Sequence, residues 1–381
     1  MKPAIFFPFA ATPLTYICRG LLLAFGVFQT YYQEELLPGE SSSSLAWIST
    51  TSAFILLASG LVTGPLFDCG YLRPLLVTGS LLEVFGLMML SVSTQYYQVL
   101  LSQGICVGLG AGMIFVPSLS AVAVCLEDAR RAKIIGLLVT TAGFPWAIRT
   151  IAFLIVATFV FSSPVLGVYR SSRSPMVRAW IYISAFTDKA FVSILCGAVF
   201  SATVFYLPML YLPLFGTTTG GIRNANLAFY LVSIANGASV FGRLLCGLLA
   251  TAIGPIETCG LAVASSAIVL FCWLAVVSPV GLIIWSIAWG FISNAIVAMP
   301  GAIVPCLAPS VNMIGTRTGM LWTAVAIGML IGSPIAGALI EYGDGNIKWW
   351  RVQLFAGLCM AISSFFFVYP TVYVRRKKSG L

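Results

Sequence analysis

The chain contains no histidine, and only 8% of its 381 residues are charged, against about 25% in an average soluble domain. Without histidine there is no His-based catalytic centre. No Cys-x-x-Cys pair is present to build a zinc or haem site. No nucleophile–base constellation is visible, which argues against an enzyme, and no cofactor is expected. No Asn-x-Ser/Thr sequon occurs, so glycosylation marks no loop as external. Residues 1–10 have no convincing cleavage site, and their apolar run continues onward, so they do not read as a removable signal.

What the chain has is apolar length. Hydrophobic residues make up 60% of it. The runs are long enough to cross a bilayer as helices, where every backbone polar group is satisfied internally. The reading is an all-α polytopic membrane protein. Ten cysteines do not imply disulfides, because eight of them lie within apolar runs as small hydrophobes. The net charge of +9 does not point to nucleic acid, because the basic residues cluster in short loops and at the C-terminus, as in cytoplasmic loops.

Spans read at residues 13–32, 45–66, 75–92 and 97–126, then at 190–215, 227–250, 258–277, 281–307, 319–340 and 354–374. Residues 1–168 form a first bundle, 169–189 a basic cytoplasmic linker, 190–374 a second six-helix bundle and 375–381 a basic tail. With linker and tail inside, basic residues divide fourteen inside to four outside, with Arg19 and Arg243 left in the membrane. Both termini are therefore expected to be cytoplasmic. Basic loops flank residues 134–168 on both sides, so two crossings are wanted there. Only 35 residues are available, whereas two spans need about 40 plus a turn. A short re-entrant hairpin, one long span and an imperfect gene model all stay open. Gly104, Gly108 and Gly112 repeat at four-residue spacing, which reads as a helix-packing stripe.

The run 226–250 holds Arg243 well inside its apolar stretch. A charge there costs roughly 2.5–3.5 kcal/mol on insertion scales. Two readings stand side by side: Arg243 pairs or snorkels within the bundle, or it faces a cavity and holds an anionic substrate. Glu83 is the one acid read clearly within a span, either as a packing residue or as a titratable group. Phe205, Tyr206, Tyr211 and Trp322 are bulky cavity candidates or ordinary span residues. An echo joins the halves: Gly64-Pro65-Leu66-Phe67-Asp68 ends at Gly70, and Gly247-Leu248-Leu249-Ala250-Thr251 ends at Gly254. Such an internal echo points to a duplicated transporter bundle.

On these residues the sequence resembles the major facilitator superfamily and, within it, the fungal monocarboxylate-porter-like branch. The stretches carrying the resemblance are FGVFQTYYQ (25–33), SGLVTGPLFDCGYLRPLL (59–76), STQYYQVLLSQGICVGLGAGMIFVPS (93–118), FYLVSIANGASVFGRLLCGLLA (229–250), IGTRTGM (314–320) and GSPIAGAL (332–339). The resemblance implies two six-helix bundles, nominally twelve spans with span five shortened or missing, and alternating access to a central site. It implies that Gly64, Asp68 and Gly70 form a gating loop. Cys69 stands where the family carries a base, and Arg73 is its candidate substitute. A helix cap or plain turn remains the other reading of Asp68.

The resemblance also implies that Arg243 meets a substrate carboxylate. The porters' acid falls at Ser239 and their first-span lysine at Leu23, so both are missing here. Arg19 lies one turn from Leu23, as a substrate group or an interfacial one. The candidate substrate set is thus Arg243, Arg19, Ser239, Asn236 and Tyr206. The expected function is transport of a small organic anion or weakly acidic metabolite, leaning to efflux of a fungal secondary metabolite. Monocarboxylate uptake and a degenerate, non-transporting paralogue or sensor are the alternatives. Proton co-transport and facilitated diffusion are both open. The expected setting is the plasma membrane, as a monomer.

Overall fold

The computed structural model describes residues 32, 36–40, 42–115, 182–222, 225–308, 313–341 and 348–379. Arg19, most of the first expected span, the loop at 127–133 and the segment 134–168 lie outside them, as does most of the linker. The described residues form helices and no strand. Nine helices among them are long and apolar enough to cross a membrane. They coincide with the expected spans two to four and with all six of the second half.

The helices begin and end where the sequence leaves the backbone a reason. The elements are α1 (Ser42–Ala58), α2 (Gly60–Asp68), α3 (Leu72–Leu90) and α4 (Tyr96–Phe115), the last passing through a π-helical stretch at Leu100–Val107. In the second half come α5 (Lys189–Phe205), α6 (Leu207–Thr218), α7 (Ala225–Ala252), α8 (Pro255–Cys272), α9 (Pro279–Ala298), α10 (Pro300–Leu307), α11 (Ile314–Glu341) and α12 (Trp349–Ser379). Pro208 and Pro300 sit in first turns, where a missing N–H costs nothing, so the α5–α6 and α9–α10 spans are broken but continue. Asp188 starts α5 by accepting from the N–H groups of Ala190 and Phe191 at 3.2 and 3.3 Å. Gly70 (φ 91°) and Gly254 (φ 111°) close the two echoed stretches in the left-handed region. Glycine reaches that region without a steric penalty.

Two compact units divide the chain. One comprises Met1–Tyr182 with Val304–Ala326, the other Ile183–Ile303 with Ile327–Leu381. Within the first, the glycine stripe of α4 packs on the α1 side: a Cβ at Gly104 would lie 3.5 Å from Ile48 O, one at Gly108 3.0 Å from Ser52 O, and one at Gly112 2.8 Å from Leu56 O. The packing reading of the stripe is thus the observed one. Glu83 is fully buried on α3, and its backbone N would lie 2.5 Å from a Cβ on Gly110 of α4.

Within the second unit, α12 packs on α5 through Ser193 and Ser363. The Ser193 hydroxyl donates to Phe366 O at 2.6 Å, and the Ser363 hydroxyl to Gly197 O at 2.7 Å. Trp273, Trp285 and Trp289 stack with ring centres 5.0 and 5.9 Å apart. Phe215 meets Trp273 edge-on. Arg317 corrects a sequence expectation. The expected span starts at 319 and leaves Arg317 in the loop before it, but α11 starts at Ile314 and Arg317 is buried in its first turn. Its guanidinium donates to Leu307 O at 2.5 Å, at the end of α10, and lies 6.0 Å from the Tyr182 ring centre. The negative end of the α10 dipole stabilises a cation there.

Candidate functional site

Arg243 projects from α7 where that helix crosses α9. The crossing is tight because both helices offer glycine at it. A methyl on Gly242 would overlap the Phe291 carbonyl, and one on Gly290 would overlap the Ala235 carbonyl. The half-buried guanidinium uses Nη2 twice, donating to Ser239 Oγ at 3.2 Å and to Asn294 Oδ1 at 3.1 Å. Both acceptors are buried and both are held in turn. The Ser239 hydroxyl donates to Asn236 O at 2.6 Å, and Asn294 Nδ2 donates to Gly290 O at 3.3 Å. Asn236, Ser239 and Arg243 therefore share one face of α7, at spacings of three and four. The side-chain oxygen of Asn236 is buried without a hydrogen-bond partner among the described residues. Nor does any carboxylate among them pair with Arg243. Both bidentate edges of a guanidinium include Nη2, so a carboxylate gripping two nitrogens must replace Ser239 or Asn294.

Asn294 and Gly290 escape a reading of the sequence. Their signal is a polar residue one turn after a glycine in an otherwise apolar run. Tyr206 sits at the α5–α6 break, its ring edge-on to Phe205 at 4.9 Å. Phe205 also leans on Trp289, Trp322 meets Phe115 edge-on at 4.9 Å, and Tyr211 meets Trp349. Arg19 lies outside the described residues.

The second constellation is built on Asp68, the last residue of α2. Its Oδ1 accepts from Gly315 N–H at 3.1 Å. Its Oδ2 accepts from Thr316 N–H at 2.8 Å and from the Thr316 hydroxyl at 2.9 Å. These are free donors at the N-terminus of α11, where a carboxylate also meets the positive end of the dipole. Asp68 is thus a cap, but of a helix 248 residues away. Glycines let the backbones meet. A Cβ on Gly315 would lie 2.6 Å from both Gly64 O and Asp68 Oδ1, and one on Gly319 would overlap Gly60 O. Arg73 is exposed on α3 and forms no ion pair among the described residues. Burial, and then the Asp68 carboxylate, raise the Cys69 thiol above its ordinary value.

Long apolar helices gathered in two compact units define a multi-pass membrane protein. Two solved structures share the fold at low identity. FucP, a Major Facilitator Superfamily transporter in the outward conformation, matches with a TM-score of 0.59 at 13% identity, covering 94% of this chain and 98% of that one. A point mutant of the nucleoside transporter NupG matches at 0.61 and 11%, covering 96% and 99%. No family model matches. Among curated relatives, the MFS-type transporter dbaD of Emericella nidulans is 35% identical, over 91% of this chain and 81% of its own length. The aspyridones efflux protein apdF of the same organism is 35% identical over 90% and 72%. The agnestins efflux protein AgnL12 of Paecilomyces divaricatus is 30% identical over 97% and 86%. The chain belongs to the major facilitator superfamily, in the company of its fungal secondary-metabolite transporters.

Proposed function

We propose that the chain exports a weakly acidic secondary metabolite and that Arg243 holds the substrate's anionic form. One observation carries this reading. The guanidinium is kept inside a membrane helix by two neutral acceptors, with no carboxylate partner among the described residues. Its charge is left for the cargo to neutralise, and desolvation strengthens that contact. Relatives named for the efflux of aspyridones and agnestins support the direction of transport.

On this reading the incoming anion displaces Asn294 or Ser239 from Nη2, and Asn236 offers its unpartnered oxygen to a donor on the same ligand. Arg19 and Tyr206 complete the substrate set. With serine at 239 instead of an acid, the substrate set holds no carboxylic acid to couple a proton to the anion's export. The Asp68 contact with Gly315 and Thr316 acts as a gate, made in one state and broken in the other, with Gly64 and Gly70 shaping its loop and Arg73 at its edge. The transporter works as a monomer in the plasma membrane, with both termini cytoplasmic.

The test is flux of a panel of labelled aromatic and polyketide-like acids in inside-out vesicles. Arg243→Ala is expected to lose about ten- to a hundredfold in acid uptake, in line with a charge-assisted bond of roughly 1.5–3 kcal/mol. Arg243→Lys should retain part of it. Equal flux in wild type and Arg243→Ala across the panel would remove the anion anchor.

A further inference from the structure

α12 is 31 residues long, about 46 Å at 1.5 Å per residue, whereas a hydrocarbon core is about 30 Å. Its last turns therefore reach the headgroup layer. Trp350 and Tyr373 are both exposed and stand about 35 Å apart along the axis, which sets one ring at each interface, where such side chains concentrate. Tyr369 stacks beside Tyr373, ring centres 6.4 Å apart. Just beyond them runs Arg375-Arg376-Lys377-Lys378.

Arg375 is 68% exposed, and its Nε lies 3.9 Å from Oε1 of Glu257, a side chain only 3% exposed in the first turn of α8. The register is fixed one and two turns below. A Cβ on Gly260 would lie 3.5 Å from Phe367 Cβ and 3.6 Å from the Thr371 hydroxyl. Arg375 makes no hydrogen bond among the described residues, so its Nη edge stays open toward the exposed side.

We propose that this end of α12 binds the phosphate of an anionic phospholipid. Arg375 bridges Glu257 and the lipid, offering the phosphate two parallel N–H donors. Tyr369 and Tyr373 flank the upper acyl chain, and Arg376 supplies further charge. A stop signal in membrane insertion needs only charge, whereas this site needs a guanidinium at 375.

Native mass spectrometry of the full chain, titrated with phosphatidylserine and separately with phosphatidylcholine, reads the site directly. Wild type is expected to prefer phosphatidylserine. Arg375→Gln should weaken the first binding step about fivefold, the value of one basic residue near an anionic surface. Arg375→Lys keeps the charge that sets topology and still lowers affinity, which covers the case in which the glutamine variant fails to insert. Equal binding of the two lipids by wild type, or unchanged phosphatidylserine binding in both Arg375 variants, would overturn the site.

Discussion

Replacing Asp68 with asparagine tests the α2–α11 contact most directly. Within this contact the carboxylate accepts three hydrogen bonds, from Gly315 N–H, Thr316 N–H and the Thr316 hydroxyl. The amide keeps one oxygen, so one backbone bond survives. Its NH2 group then faces the second N–H as donor against donor, while the hydroxyl turns round and accepts. The net loss is one charge-assisted bond, roughly 1.5–3 kcal/mol, and the carboxylate's interaction with the helix N-terminus, about 0.3–1 kcal/mol. Asp68 is half-buried rather than buried, so the expected destabilisation is about 2–3 kcal/mol. Thr316→Ala removes only the hydroxyl bond and should cost about 1 kcal/mol. A double-mutant cycle in mixed-micelle denaturation separates the two. The coupling between Asp68→Asn and Thr316→Ala should be about 0.5 kcal/mol, because the hydroxyl still bonds the amide in the asparagine variant and only the charge-assisted part of its bond is lost. A stability for Asp68→Asn within about 0.5 kcal/mol of wild type, or strictly additive variants, would show that the carboxylate does not hold the α11 terminus.

Two further outcomes follow from the geometry. Gly290→Ala should cost about 1–3 kcal/mol by overpacking against Ala235 O, and acid flux should fall with it as Asn294 is carried away from Arg243; Gly237→Ala, with open space around its Cβ, should be neutral in both assays. In a chain whose only remaining cysteine is Cys69, maleimide labelling should rise with pH to a midpoint above the ordinary thiol value of 9.0, because burial and then Asp68 disfavour the thiolate. Asp68→Asn should move that midpoint down, and an unmoved midpoint would show that the carboxylate charge does not reach the thiol.

The nine membrane-length helices are legible because each is a long apolar run bounded by glycine, proline or charge, and a bilayer accepts little else. Helix ends are less legible, for a physical reason. A charge is expected to end a span, yet Arg317 lies inside α11, where it donates to the last carbonyl of α10 and lies 6.0 Å from the Tyr182 ring centre. The loop proposed as a gate can be read from Gly64, Asp68 and Gly70, but its partner cannot. The donors that hold Asp68 are backbone N–H groups, which every residue but proline has. The steric half of the answer is nonetheless present in the chain: GLVTG at 60–64 and GTRTG at 315–319 each place two glycines one turn apart, and those glycines meet.

Arg243 shows how far residue type carries a site and where topology takes over. The family resemblance directs attention to a neutralising acid one turn back on the same helix, where Ser239 stands. The structure supplies the second acceptor from another helix, as Asn294 on α9. That amide is oriented by the carbonyl of Gly290, the same glycine whose missing side chain lets α9 approach α7. One residue thus sets the distance between the helices and fixes the group that spans it. An acid at 239 would cancel the guanidinium and would have to be protonated before an anion could bind. A serine and an amide hold it in place and leave it charged. On the proposed function, the cost of that standing charge in the membrane, roughly 2.5–3.5 kcal/mol before its hydrogen bonds are counted, is relieved when an anion arrives. Relief on binding is what a carrier needs if its empty and loaded forms are to differ in energy at this crossing.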